Sequence, residues 1–378
     1  MYRDQGLALK RFGRVATLLS MLGFSLLLTA EVLGEASSHR IAFGSCAMQD
    51  KPMPVWSAVV DRDPKVFLFL GDNVYADTGA YKLMPSPRNY EVAYERLKKN
   101  PDFNKFLLAS RARGIEVFAT WDDHDYGLND GGADHSERLE AKKAFVDFFS
   151  PWGLAESSPD RPGIHNASVI ELAGLKIQVL MLDTRSFRSP VVKTKTPKVC
   201  ARGGWVFSSD PDATILGEDQ WAWLAQQLQK PADLRLIVSS IQVLPTEQCF
   251  EKWANFPAER ERLLNLIAES RADGVVLLSG DRHSSEISVI NRHDIGYPLY
   301  EVTSSGLNNA LQGRFNVAEE PNKFRVLGEN VSDNGFGEIE ITGSGPEQSL
   351  AFRLINEAGV ELQALEVPLQ QLRAQHAK

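Results

Sequence analysis

The chain sets short unbroken apolar runs against abrupt polar clusters. Residues 66–70 (VFLFL) carry no polar position, and Gly71, Asp72, Asn73, Tyr75 and Asp77 follow at once. An apolar run without two-residue alternation predicts a strand buried on both faces of a parallel sheet. Gly71 lets the backbone turn at its end, where an open α/β sheet places its ligand crevice. The pattern recurs in residues 41–46 (IAFGSC), 115–125 (IEVFATWDDHD) and 274–286 (GVVLLSGDRHSSE).

Helical periodicity and punctuation fill the intervals. Ser86-Pro87 predicts the start of a helix through Lys99, and Pro101 opens a second through Arg113. Residues 134–150 are amphipathic, with Leu139, Ala144, Phe145 and Phe148 spaced for one face. Further helices are predicted over residues 220–229 and 257–270, the first with Trp221 and Leu224 as packing residues. Residues 164–172 and 175–183 read as a hairpin around Ala173-Gly174. Residues 236–243 read as another buried strand. Short strands over 299–302, 337–342 and 350–354 are expected to complete a second sheet, with a strand or helix in the 360s. Residues 190–217 have no period and read as a surface loop over the site.

The four polar clusters change the picture. One polar loop after a strand is ordinary. Four that end in Cys46, in Asp72 and Tyr75, in Asp122 to Asp125, and in Asp281 and His283 point to a polynuclear metal site, because hard cations take carboxylates, imidazole suits zinc, iron and manganese, and a thiolate adds a softer ligand. Ser45, Ser284 and Ser285 lack the G-x-S-x-G setting of a serine nucleophile.

In that order, FGSC, GDNVYAD, WDDHD, LDTRSFR, GEDQWAWL, SGDRH and EVTSSGL span residues 40–342. The series resembles the alkaline phosphatase D (PhoD-like) family of calcineurin-like metallophosphoesterases. The resemblance implies a four-layer α/β/β/α sandwich and a binuclear or larger metal centre that hydrolyses phosphate mono- or diesters by a metal-activated hydroxide. It implies Cys46, Asp72, Tyr75, Asp123, Asp281 and His283 as metal ligands, with Asp72 as the bridge. His124 and Arg185 are implied as catalytic residues that stabilise phosphoryl charge, with Asp122 or Asp125 orienting His124. Against the broader superfamily pattern the chain has no D-x-H near residue 44, Tyr75 for the second Asp of GDxxD, DDHD for GNHD and GDRH for GHxH. It also has no lone His near Pro245 and Glu247. These departures follow the family and imply iron together with calcium; zinc and manganese are the alternatives. Read alone, Cys46 is a small buried strand-end thiol, and Arg185 is an arginine paired with Asp183.

Composition and the chain's start bound the setting. Lys10, Arg11 and Arg14 precede an uncharged stretch over residues 15–30, and residues 34–36 fit a small-x-small cleavage site. The stretch is short for a membrane span. Residues 1–36 are therefore expected to be a signal peptide and residues 37–378 one catalytic domain, periplasmic or secreted. A net charge of −8 argues against a nucleic-acid scaffold and fits a small-molecule or lipid-like phosphoester. Of three cysteines, Cys200 and Cys249 remain to pair if Cys46 is a ligand. A phospholipase- or nuclease-type diesterase, and an exported metal-binding protein without turnover, are the other readings.

Overall fold

The computed structural model describes residues 39–153, 161–194, 204–312 and 320–374. The expected signal segment lies outside the described residues, as does Cys200, on which the disulfide expectation rests.

Strand β2 (Val66–Leu70) is buried throughout, and its residues divide between two cores. Val66, Leu68 and Leu70 join one, whereas Phe67 and Phe69 join the other, because successive strand side chains point to opposite faces. On the phenylalanine side lie helices α1 (Val55–Asp61), α2 (Arg88–Lys99), α3 (Pro101–Arg113), the short α4 (Asp123–Tyr126) and α5 (Arg138–Phe149). Trp56 of α1 stacks 5.1 Å from Phe67 and 4.6 Å from Phe106 of α3, ring centroid to centroid. Helix α3 starts where its punctuation predicts. Asn100 accepts from the Asp102 and Phe103 amides, and Pro101 fills the first turn.

The buried face of α5 differs from expectation. Ala141, Phe145 and Phe149 form it, while Leu139 is 68% exposed. The helix begins at Arg138, so the four-residue spacing that meets the core runs through Phe145 and leaves Leu139 on the outer side.

Three further strands of the first sheet are β1 (His39–Gly44), β3 (Glu116–Thr120) and the long β12 (Gly335–Thr342), followed by β13 (Ser349–Asn356) and β14 (Glu361–Pro368). Their order is β14-β13-β12-β1-β2-β3, with β1, β2 and β3 parallel and the others antiparallel. The second sheet holds β4 (Asn166–Leu172), β5 (Leu175–Met181), β8 (Leu234–Val238), β9 (Val275–Ser279), β10 (Glu286–Asn291) and β11 (Pro298–Thr303). Its order is β10-β11-β9-β8-β5-β4. The strands expected near residues 337–342 and 350–354 to complete the second sheet extend the first instead. The edge of β1 away from β2 would otherwise be open, and β12 covers it, Ile339 pairing with Ile41.

Helices α6 (Gly217–Leu228) and α7 (Pro257–Ser270) pack Trp221, Leu224, Leu263, Leu264 and Ile267 into the core of the second sheet. The layers are thus helices, sheet, sheet, helices, the α/β/β/α sandwich. β8 stops at Val238, short of the expected residue 243, because buried Glu301 accepts the Val243 and Leu244 amides at 2.8 and 2.6 Å. Within the loop over residues 190–217, β6 (Val192–Lys193) pairs with β7 (Trp205–Val206). Among the described residues no helix is long and apolar enough to cross a membrane.

Candidate metal centre

The C-terminal ends of β1, β2, β3 and β9 bring their polar residues to one place. A bridge between Ser45 and Ser305, and a 2.6 Å bond from Thr120 Oγ1 to the Leu182 carbonyl, tie the two sheets together there. Cys46, Asp72, Asp281 and His283 all adopt left-handed backbone conformations, with φ of 60°, 51°, 66° and 54°. Such residues cost on the order of 1–3 kcal/mol each and persist where surrounding structure dictates them. Gly71, at φ +105°, is required twice over: a Cβ there would lie 2.6 Å from Asp122 Cβ. Its absence lets the end of β2 close against the start of DDHD.

Four candidate ligand groups overlap. Cys46, Asp72 and His283 each bring one ligand atom within 4.8 Å of the others, as do Asp72, Asp123 and His124, then Asp122, Asp123 and Asp281, and finally Asp123, Asp130 and Glu251. Asp72 joins the first group to the second. The Cys46 Sγ lies 3.3 Å from Asp72 Oδ2, and the Tyr75 hydroxyl stands 3.5 Å from both Asp72 Oδ2 and His283 Nε2. His283 donates Nδ1–H to the Asn309 carbonyl, which leaves Nε2 as an acceptor facing the group. Buried acceptors Asp122 Oδ2, Asp123 Oδ1 and Asn73 Oδ1 have no hydrogen-bond partner, as a cation site requires of its ligands. The donor set fits metal ions.

Electrostatics say the same. Burial raises the Asp72 carboxyl well above the usual range, and Asp123 and Asp122 raise it further. Burial, then Asp122 and Asp123, do the same to Asp281. Burial pushes Asp122 up to about 7 against Arg185, lifts the Cys46 thiol and the Tyr75 phenol, and takes His283 down to about 4. Crowded carboxylates without enough cations are what a bound metal relieves. His124 differs: burial opposes its charge, yet Asp123 and Asp77 push it up to about 10.

All eight expected residues meet at this end of the sandwich, and two of them have partners the sequence did not suggest. His124 is oriented by Asp77, whose Oδ1 lies 2.6 Å from His124 Nδ1, and not by Asp122 or Asp125. Asp125 accepts the Asn73 and Asp122 amides and the Tyr94 hydroxyl, so it holds the GDN turn against DDHD. Arg185 is fully buried, and its guanidinium is taken up by carboxylates. Its Nε bonds Asp122 Oδ1 at 2.6 Å, Nη2 pairs with the same carboxylate, and Nη1 lies 2.8 Å from Glu251 Oε2. Its guanidinium does not pair with Asp183, which accepts the Arg185 and Ile164 amides and Trp121 Nε1. Arg188 completes the cluster, 3.0 Å from Glu251 Oε1.

Asp77, Asp130, Glu251 and Arg188 are the residues whose roles sequence reasoning missed. Asp130 donates its amide to Asp123 Oδ2 at 2.7 Å and accepts from Trp205 Nε1 at 3.1 Å, joining the loop over residues 190–217 to a candidate ligand. Arg188 sits inside the quoted LDTRSFR stretch and Asp77 ends GDNVYAD, so both were in view. Glu251 carried no signal: it follows no strand and belongs to no motif.

Comparisons with known proteins agree with this layout. The chain is 26% identical over 186 residues to alkaline phosphatase D of Bacillus subtilis (strain 168), a match covering 44% of this chain and 30% of that protein's length. A solved structure of PhoD superposes with a TM-score of 0.58 at 16% identity, covering 90% of this chain and 72% of the other. The purple acid phosphatase PPD1 from yellow lupin gives 0.56 at 11% identity, covering 90% and 55%. These two likenesses establish the metallophosphoesterase fold. The PhoD-like phosphatase family model matches residues 41–343, and across that span, which holds every residue of the candidate centre, the chain belongs to the PhoD-like phosphatase family.

Proposed function

We propose that this chain is an exported hydrolase of phosphate esters that depends on a metal centre of at least two cations. The observation that carries the reading is Asp72, shared by two candidate ligand groups at the meeting of strand ends, with His124 held beside it by Asp77. Cys46, Asp72, Tyr75 and His283 would hold iron, since thiolate, phenolate and imidazole suit it. Asp72, Asp123 and Asp281 would hold an oxygen-preferring ion such as calcium, with the unpartnered Asp122 Oδ2 alongside. When bound, such cations supply Lewis-acid activation of water and of the phosphoryl group.

The chain's own residues do the rest. Asp77 accepts the Nδ1 proton of His124 and keeps the imidazole charged, which leaves Nε2–H to stabilise charge developing on the phosphoryl or leaving oxygen. The rings of Tyr75 and His124 lie 4.2 Å apart, fixing the imidazole's second face. Arg185 positions Asp122 and Glu251. Residues 1–36 serve as the signal peptide, which places the domain over residues 37–378 in the periplasm or outside the cell.

Turnover of a mono- and diester panel by the purified protein, with iron, calcium, zinc and manganese supplied separately, tests this and separates diesterase from monoesterase. His124→Ala should lower kcat by on the order of 10² to 10⁴ with metals retained, whereas Asp72→Asn should lose activity and metal together. Absence of turnover under every metal condition, despite bound metal, would leave a metal-binding protein without catalysis.

A further inference from the structure

The chain leaving β1 and the chain leaving β2 together wall a cavity of about 400 Å³. Met48, two residues past Cys46, lines it, as does the segment from Thr78 to Tyr81 that follows directly on Asp77. Met84 and Val92 line it as well. Tyr75 belongs to both places. Its hydroxyl stands 3.5 Å from Asp72 Oδ2 and from His283 Nε2, its ring lies 4.2 Å from the His124 ring, and the residue also borders the cavity. Three segments of the candidate centre, ending in Cys46, Tyr75 and Asp77, therefore continue into one wall.

That wall is preformed. Met48 donates its amide to Asn308 Oδ1 at 2.7 Å and accepts Asn308 Nδ2 on its carbonyl at 3.0 Å, and the carbonyl of the next residue, Asn309, is the one that His283 meets. Gln49 holds Tyr75 by both backbone groups, Oε1 accepting its amide at 2.9 Å and Nε2 donating to its carbonyl at 3.2 Å. Tyr81 donates to Asp50 Oδ2 at 2.6 Å. These polar groups satisfy one another, so what remains for an occupant is largely apolar: Met48, Met84 and Val92 are each half-buried. At Gly79 a Cβ would meet no atom within 4 Å, so the wall is open on that side. A volume of this size suits a small organic group, and methionines adapt to its shape.

We propose that this cavity takes the apolar body of the ester's alcohol, the group on the leaving oxygen, and that Met48, Met84 and Val92 set a preference for it. The inference deepens the phosphoester reading and rests on it. Asp77 fixes the imidazole assigned to the leaving oxygen, and the cavity wall begins at the very next residue, which puts the alcohol beside that space. Each methylene fully buried there tightens binding roughly fourfold.

Hexylphosphonate and methylphosphonate are the probes, because their carbon–phosphorus bond resists hydrolysis, and each is titrated calorimetrically into the metal-loaded full chain. Wild type should bind the hexyl compound at least about fivefold more tightly than the methyl one. Met84→Trp and Val92→Phe fill the space and should bring the two affinities to within about twofold of each other, with the methylphosphonate Kd and metal content unchanged. Met84→Gln keeps the length of the side chain, makes the wall polar and should act in the same direction; it stands in if bulk prevents folding. A smaller wild-type preference overturns the cavity's role, as does the wild-type preference persisting in the folded variants. Loss of metal or of methylphosphonate affinity along with the preference overturns it too, because the residue would then support the centre. Hydrolysis of hexyl and methyl phosphate is followed in parallel. Turnover of both esters without a binding preference sinks the cavity alone, whereas the binding preference without turnover of any ester sinks the phosphoesterase reading and leaves the cavity standing.

Discussion

Arg185 meets Asp122 and Glu251 with no solvent access, and Arg188 shares Glu251 with it. Removing one member of such a buried cluster leaves charge uncompensated, which costs about 3–5 kcal/mol. Arg185→Met is therefore expected to lower unfolding stability by about that amount in chemical denaturation, and to weaken cation retention through the released Asp122. Wild-type stability with a raised KM alone would return Arg185 to the phosphate contact. The sequence offered an arginine at a strand end and no means of choosing its partner, because Asp122 lies 63 positions away. Candidate ligand types were more readable. A carboxylate, thiol or imidazole just past an apolar strand is marked by type and place, whereas Glu251 comes from an irregular segment and is brought to Asp123 and Asp130 by pairing with two arginines.

At the scale of elements, β2 and its turn depend on one glycine. Gly71→Ala would force a left-handed alanine and drive its Cβ into Asp122, so the end of β2 and the start of α4 must separate. The expected result is about 2 kcal/mol or more of lost stability together with lower metal content, read by denaturation and elemental analysis. Full metal occupancy in that variant would mean that the close approach is not what sets the ligand spacing. Existence and type of most elements followed from periodicity, and α3 and α7 begin and end where proline and polar punctuation put them. Sheet membership did not. Residues 335–342 and 349–356 look like any half-buried strands, and only the open edge of β1 assigns them to the first sheet. The face of α5 was misjudged for a related reason: four apolar residues allow more than one stripe, and the neighbouring Phe69, 5.3 Å from Phe149, selects it.

Over the whole molecule, His165 gives acid sensitivity remote from the ligand groups. It packs 4.8 Å from the Trp223 ring, and burial, reinforced by Arg161, holds it down to about 4. An unfolded histidine titrates near 6.5, so between those values the unfolded chain binds a proton that the folded one does not. Stability is thus retained above pH about 6.5 and falls as pH drops toward 4, by up to about 3 kcal/mol from this group. Stability measured across that window should fall less steeply in His165→Gln than in wild type; equal slopes would remove His165 from the account. The sequence by itself determined the strands, the residue types at their ends and hence the family and the candidate ligand types, because backbone period and donor type are local properties. Only the tertiary structure decided which carboxylates stand together, that Arg185 is bound to Asp122 and Glu251, and that Asp77 bonds His124, because burial and pairing depend on distances between segments far apart in the chain.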